Sequence, residues 1–167
     1  MPKLKAYFIY DRDYFTETTI RNREEEAEKH HVYLHIWKRK ELENYLIVPS
    51  AIARFIHNNR SDLSCLEIES IVEREIDKIC DEMKQDTWDC ILDVLMKERD
   101  NLHKEISSIR KKYQPKFDEE WNDKTKKLSI VGGKQLFNTL SDKMKLSLNV
   151  SFSDKQIASE LAINEIS

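Results

Sequence analysis

Apolar and aromatic residues run without a break from Ala6 to Tyr10 and stop at Asp11-Arg12-Asp13. A short run of this kind predicts a buried strand, beginning at about Lys5. Thr16 to His30 is polar and rich in Glu and Arg, with Ile20 and Ala27 as its apolar points, which predicts a short exposed helix. Val32, Leu34 and Ile36 then alternate with Tyr33, His35 and Trp37, the period of a second strand. Strand, helix and strand within about 30 residues predict a βαβ unit and a parallel sheet.

Helical spacing takes over downstream. Leu42, Tyr45 and Leu46 suggest one or two turns over Glu41 to Leu46. Pro49 biases Val48 away from helix, and Ser50 is expected to cap a helix over Ala51 to Asn59 with Ile52, Phe55 and Ile56 inward. Ile68, Val72, Ile76, Ile79 and Met83 mark a helix from Ser64 to Lys84. Trp88, Leu92, Leu95, Leu102, Ile106 and Ile109 mark another from Thr87 to Tyr113, with Arg99 in one place of the seam. Lys84-Gln85-Asp86-Thr87 between them reads as a turn. The expected object is an antiparallel helical hairpin, free to project from the core as an arm.

The second helix should end at Tyr113-Gln114-Pro115, before a polar segment with Phe117 and Trp121. Gly132-Gly133-Lys134 should open a helix carrying Leu136, Phe137, Leu140 and Met144. A last helix, capped by Ser153, should run to Ser167 with Ile157, Leu161 and Ile163 inward. The expected class is α/β: a small parallel sheet over residues 1–60, an inserted hairpin over 61–120, and helices over 121–167 packing back on the core.

Composition narrows this picture. The 167 residues suit one domain, and a content of two glycines and three prolines argues against an all-β sandwich. The net charge of −3 gives no global signal for nucleic acid. Basic clusters at Lys38-Arg39-Lys40, Arg110-Lys111-Lys112 and Lys124 to Lys127 read first as solvated faces. The three cysteines lack metal spacing or even number, so reduced thiols in a cytoplasmic protein are expected. No apolar run reaches membrane-spanning length.

Candidate chemistry sits at the element ends. In an extended segment Asp11 and Asp13 would share a side, and two carboxylates at the carboxyl end of a strand suit Mg²⁺ or Mn²⁺. The plainer reading is a strand ending in an Asp-rich turn. Gly132-Gly133-Lys134 offers helix-start amides beside a cation, which favours anions, although the P-loop spacing is absent. The plainer reading there is a glycine turn with an exposed lysine.

Together these stretches resemble the Toprim nuclease module at the carboxyl end of ABC-type ATPases related to the overcoming-lysogenization-defect (OLD) nucleases. The resemblance rests on the strand ending in Asp11-Arg12-Asp13, on Arg39-Lys40-Glu41-Leu42-Glu43-Asn44-Tyr45-Leu46 and on Val131-Gly132-Gly133-Lys134, with Asn164-Glu165-Ile166 like the closing helix. It implies a partial Toprim fold and metal-dependent DNA cleavage, in a protein associated with phage defence. Asp11 and Asp13 would hold Mg²⁺ or Mn²⁺. Glu41 or Glu43 would complete or orient the metal shell, and Lys134 would face the scissile phosphate. Implied partners are DNA and an N-terminal ATPase domain, with a homodimer also allowed and no membrane. Toprim folds open with a strand and a glutamate, and neither precedes Asp11 here. The chain thus reads as the carboxyl-terminal part of a longer protein, with weak or no cleavage expected from it alone. A reading of another class makes it a non-catalytic oligomerisation or partner-binding module working through the hairpin.

Overall fold

Alternating aromatic and branched side chains form two short strands in the computed structural model, which describes residues 6–60, 62–98 and 101–165. Lys5, Arg99 and Ile166, which entered the sequence reading, lie outside the described residues. Strand β1 (Tyr7–Tyr10) pairs in parallel with β2 (Tyr33–Ile36), Tyr7 opposite Tyr33 and Tyr10 opposite Ile36. Helix α1 (Glu17–Lys29) connects them. Thr16 caps α1 by accepting the Thr19 N–H at 3.3 Å, and Ile20 is the buried point of the helix. The βαβ unit is therefore present, but its sheet is minimal. Tyr7 and Ile9 are each 66% exposed.

A 3₁₀ turn (Leu42–Tyr45) leads into α2 (Pro49–Asn59). Proline is tolerated in the first turn, where its missing N–H would lack an intrahelical partner anyway. Val48, not the expected Ser50, is the N-cap. The Ser50 hydroxyl instead donates to Glu165 at 2.5 Å.

Helix α3 (Cys65–Lys97) is one continuous helix of 33 residues, which corrects the turn expected at Lys84-Gln85-Asp86-Thr87. Neither glycine nor proline interrupts it. Met83, Thr87 and Trp88 are buried while Gln85 and Asp86 face solvent, and Gln85 donates to Asp89 one turn on at 2.9 Å. The polar run is the outer face of an amphipathic helix. The chain reverses between α3 and Ile106, and there the buried Asn101 side chain donates to the Leu95 carbonyl at 2.9 Å. Helix α4 (Ile106–Asn122) then runs back antiparallel, tied by Lys84 to Asp118 at 2.9 Å and by a Trp88–Phe117 ring contact at 5.1 Å. Moving the reversal takes Leu102 and Ile106 out of the expected seam, and they stand 52% and 48% exposed. Helix α4 also continues through Pro115, which lies on its exposed side, and buries Phe117 and Trp121. That corrects both the helix end at Pro115 and the polar segment expected after it.

Far from projecting, α3 is the axis of the molecule. Its Ile68, Val72, Ile76 and Ile79 join Ile52 and Ile56 of α2, and Leu136, Leu140 and Met144 beyond Gly133, in one buried cluster. Each such side chain contributes about 1.5–3 kcal/mol on burial. Helix α5 (Lys124–Ile130) is fastened to α3 by Lys124–Glu73 and Lys127–Asp77, each at 2.9 Å. Helix α6 (Gly133–Leu148) opens at the glycines with the expected inward face. Helix α7 (Asp154–Glu160) has its N-cap at Ser153 and buries Ile157. It ends before the expected point: Leu161 is only partly buried and Ile163 is 95% exposed. A 3₁₀ turn (Ile163–Glu165) follows, held by Arg54 to Glu165 at 2.7 Å.

Candidate functional site

The three polar stretches, far apart in sequence, meet through backbone hydrogen bonds. The Asp13 N–H donates to the Lys40 carbonyl at 2.9 Å, and the Lys40 N–H donates to the Ser129 carbonyl at 2.8 Å. The Lys134 N–H, at the start of α6, donates to Glu41 Oε2 at 2.8 Å. Residues 11–13, 39–46 and 129–134 therefore form one locus beside the middle of α3.

The details differ from an extended Asp-x-Asp. Strand β1 ends at Tyr10, and Asp13 adopts φ 46°, a left-handed conformation that Asp tolerates better than most residues. The alternation that would place Asp11 and Asp13 on one side stops before either is reached. Both carboxylates are exposed. Arg12 turns to Glu17 in an ion pair.

Asn44 is the hub of the locus. It is fully buried. Its Oδ1 accepts the Glu41 N–H at 2.8 Å, and its Nδ2 donates to the Leu128 and Val131 carbonyls, both at 2.9 Å. Each donor hydrogen of the amide has an acceptor, as a buried polar group requires. Gly133 packs directly on this side chain, and a Cβ there would lie 2.5 Å from Asn44 Oδ1. The second glycine of the pair is thus set by close approach.

Glu41 is a brace. Its Oε1 meets the Lys40 ammonium and its Oε2 takes the Lys134 amide. Burial raises its pKa, but the Lys134 amide, the Lys40 ammonium and the Gly133 amide outweigh that and hold the carboxyl below its usual range. A carboxylate at a helix N-terminus is stabilised in this way. Lys40 is itself 8% exposed and lies over the Tyr14 ring at 4.8 Å. Burial above all, with Cys90 and Glu41 adding, pushes the Tyr14 phenol well above its ordinary range, against a hydrogen bond to Thr87. Glu43 heads the 3₁₀ turn and is half-buried, and Lys134 has an exposed side chain.

Sequence reading gave no separate role to Lys40, Asn44 or Tyr14. The signal for Asn44 was its position three residues after Glu41, the spacing of a capping box, which the structure contains. The basic clusters are mostly solvated, at Lys38, Arg110, Lys111, Lys112, Lys124 and Lys126, while Arg39, Lys40 and Lys127 turn inward. Arg39 donates to the Asn44 carbonyl at 2.6 Å and covers the Tyr45 ring, Lys40 holds Glu41, and Lys124 and Lys127 pair with α3. Next to Asp13 a cleft of about 530 Å³ opens between the β1–α1 connection, α3 and α4, lined by Tyr14, Lys38, Trp88, Tyr113 and Phe117 among others.

Two exposed carboxylates fit Mg²⁺ or Mn²⁺, because Mg²⁺ keeps several waters and is commonly held by one or two carboxylates plus substrate phosphate. Among the described residues no three His, Cys, Asp or Glu side chains converge on one point. Among them, too, no helix is long and apolar enough to cross a membrane. No protein-family model, curated protein or solved structure matches the chain.

Proposed function

We propose that this chain is the Toprim-like carboxyl-terminal part of a metal-dependent DNA nuclease, working with an ATPase domain. The observation that carries the reading is the meeting of Asp13, Glu41 and Lys134 through the Asp13–Lys40 and Lys134–Glu41 hydrogen bonds. Asp11 and Asp13 would hold Mg²⁺ or Mn²⁺. When bound, the ion supplies an activated water and charge stabilisation for phosphodiester hydrolysis.

The chain's own residues supply position and charge. Glu41 pins the α6 N-terminus and so fixes where the Lys134 side chain leaves the helix. Lys134 offers a compact ammonium to a phosphate oxygen. Lys40 neutralises Glu41, which keeps the locus from repelling an anion. The stripe on which a partner-binding hairpin would rely is buried inside the molecule, at Trp88, Leu92 and Leu95. The nuclease reading is the better supported of the two.

Titration of Mn²⁺ into the full chain by calorimetry tests the reading. Wild type should bind Mn²⁺, Asp13→Asn should lose at least tenfold in affinity, and Asp154→Asn, on α7, should bind like wild type. Wild type that takes up no Mn²⁺, or Asp13→Asn that binds it unchanged, overturns the assignment.

A further inference from the structure

The cleft beside Asp13 has a volume of about 530 Å³, within the range of about 300–1,000 Å³ typical of small-molecule sites. Its floor is apolar and aromatic. Trp88 and Ile91 come from α3, Tyr113 and Phe117 from α4, and Tyr14 from the loop after β1. Tyr14, Ile91 and Tyr113 are half-buried, so they keep surface for an occupant.

One donor on this floor is unused. Trp88 is 2% exposed, and its indole N–H has no hydrogen-bond partner among the described residues. Nearly all buried donors are paired, so this one calls for an acceptor that the protein itself does not supply.

The charged rim is also incomplete. Arg12 pairs with Glu17, the Thr16 hydroxyl donates to Glu98, and Lys116 meets Glu120 at 3.7 Å. Lys38 and Lys126 line the same cleft, and among the described residues their ammonium groups have no ion pair or hydrogen bond. The bond from the Lys40 N–H to the Ser129 carbonyl, at 2.8 Å, holds the segment after β2 against the end of α5. There the Ser129 hydroxyl donates to the Lys126 carbonyl at 2.7 Å. Both unpaired ammoniums therefore belong to one wall.

We propose that this cleft holds a nucleoside monophosphate unit, its base on the aromatic floor and its phosphate at Lys38 and Lys126. A phosphate dianion matches two ammoniums, whereas a single carboxylate would leave one uncompensated. A planar base stacks on side-chain rings whatever its identity. It also carries carbonyl or ring-nitrogen acceptors for an indole N–H, which an acyl chain lacks. A base locked in a duplex cannot enter a cleft walled by two helices, so the unit is unpaired. Its source is a free mononucleotide or an unpaired nucleotide within a DNA strand. The strand source would lay DNA beside Asp13 and rests on the nuclease reading above; the free nucleotide does not.

Calorimetry on the full chain tests the site, with deoxyadenosine monophosphate and a short oligodeoxyadenylate as ligands and EDTA present throughout. Wild type should bind. A site for a strand should hold the oligonucleotide about tenfold more tightly than the monophosphate, and a site for a free nucleotide should hold the two alike. The double variant Lys38→Ala, Lys126→Ala should bind about tenfold more weakly. Lys145→Ala with Lys155→Ala removes the same charge from α6 and α7 and should weaken binding by less than about threefold. Tyr113→Ala should lose about fivefold or more, and Tyr113→Phe should bind like wild type. Annealing the oligonucleotide to its complement should abolish its binding. No uptake of either ligand overturns the proposal. So does a Lys38–Lys126 variant no weaker than its charge-matched control, or a duplex bound as tightly as the single strand. EDTA keeps metal out of every measurement, so failure of the Mn²⁺ titration leaves these outcomes unchanged and the two readings fall separately.

Discussion

Gly133 packs so closely on Asn44 that a Cβ on the glycine would stand 2.5 Å from the amide oxygen and 2.7 Å from the Asn44 backbone nitrogen. Neither atom can retreat, since both belong to a buried, hydrogen-bonded hub. Gly133→Ala should therefore destabilise by about 1–3 kcal/mol, the range for overpacked interiors. At Gly132 a Cβ would meet Met83 Cε at 3.5 Å and Gln135 Cβ at 3.9 Å, both ordinary contacts. Gly132→Ala should stay within about 1 kcal/mol of wild type. Urea denaturation of the two variants side by side checks the contrast, and equal losses would contradict it.

Asn44→Asp keeps the shape of the hub and removes its donors. The new carboxylate would face the Leu128 and Val131 carbonyls in a fully buried place. Leaving a charge there uncompensated should cost about 3–5 kcal/mol at pH 7. Its pKa in the folded chain would lie above the unfolded value of about 3.9. The protonated acid can donate to one carbonyl, so stability lost to the substitution should return in part as pH falls through that raised pKa. Denaturation midpoints at pH 7 and pH 5 measure the recovery relative to wild type.

Much of this locus was legible in sequence and its wiring was not. The order strand, helix, strand follows from a change of hydrophobic period, and the glycine pair marked the start of α6. The family resemblance implied that Glu41 or Glu43 completes or orients a metal shell. The partner of Glu41, the amide of Lys134, lies 93 positions away and no local pattern announces it. The turn expected at Lys84-Gln85-Asp86-Thr87 failed for another reason. A polar run shows only that a surface is wet, and the outer face of a long helix is as wet as a loop. The reversal itself rests on Asn101, whose bond to the Leu95 carbonyl closes the end of α3.

Glu165 should make stability sensitive to acid. Its carboxylate takes Arg54, the Ser50 hydroxyl and the Ala162 amide, which together draw its pKa down to about 2. A depressed pKa adds stability that is complete above the unfolded value of about 4.3 and is lost as pH falls towards 2. Glu165→Gln should cost about 1 kcal/mol at pH 7 in this partly solvated pair. The difference from wild type should shrink between pH 4 and pH 2. A variant whose deficit is constant across that window would remove Glu165 from the account.

Pro115 lies inside α4 on its exposed side. It cannot donate to the Lys111 carbonyl, and its ring crowds the preceding turn. Pro115→Ala should restore that bond and raise stability by about 1–3 kcal/mol, with a Tm higher by several degrees. A lower Tm would mean that the helix breaks at this residue.

The length of α3 also sets an order on assembly during synthesis. When Lys97 has left the ribosome, α2 is already present to pack against α3, but α4, whose Phe117 lies against Trp88, has not yet been made. Phe117, which lies against Trp88, and Trp121, which lies against Phe117, arrive only with α4. A chain paused between residues 98 and 122 would carry a finished helix whose Trp88 still lacks its α4 partner. That interval is where a nascent-chain chaperone would have to act.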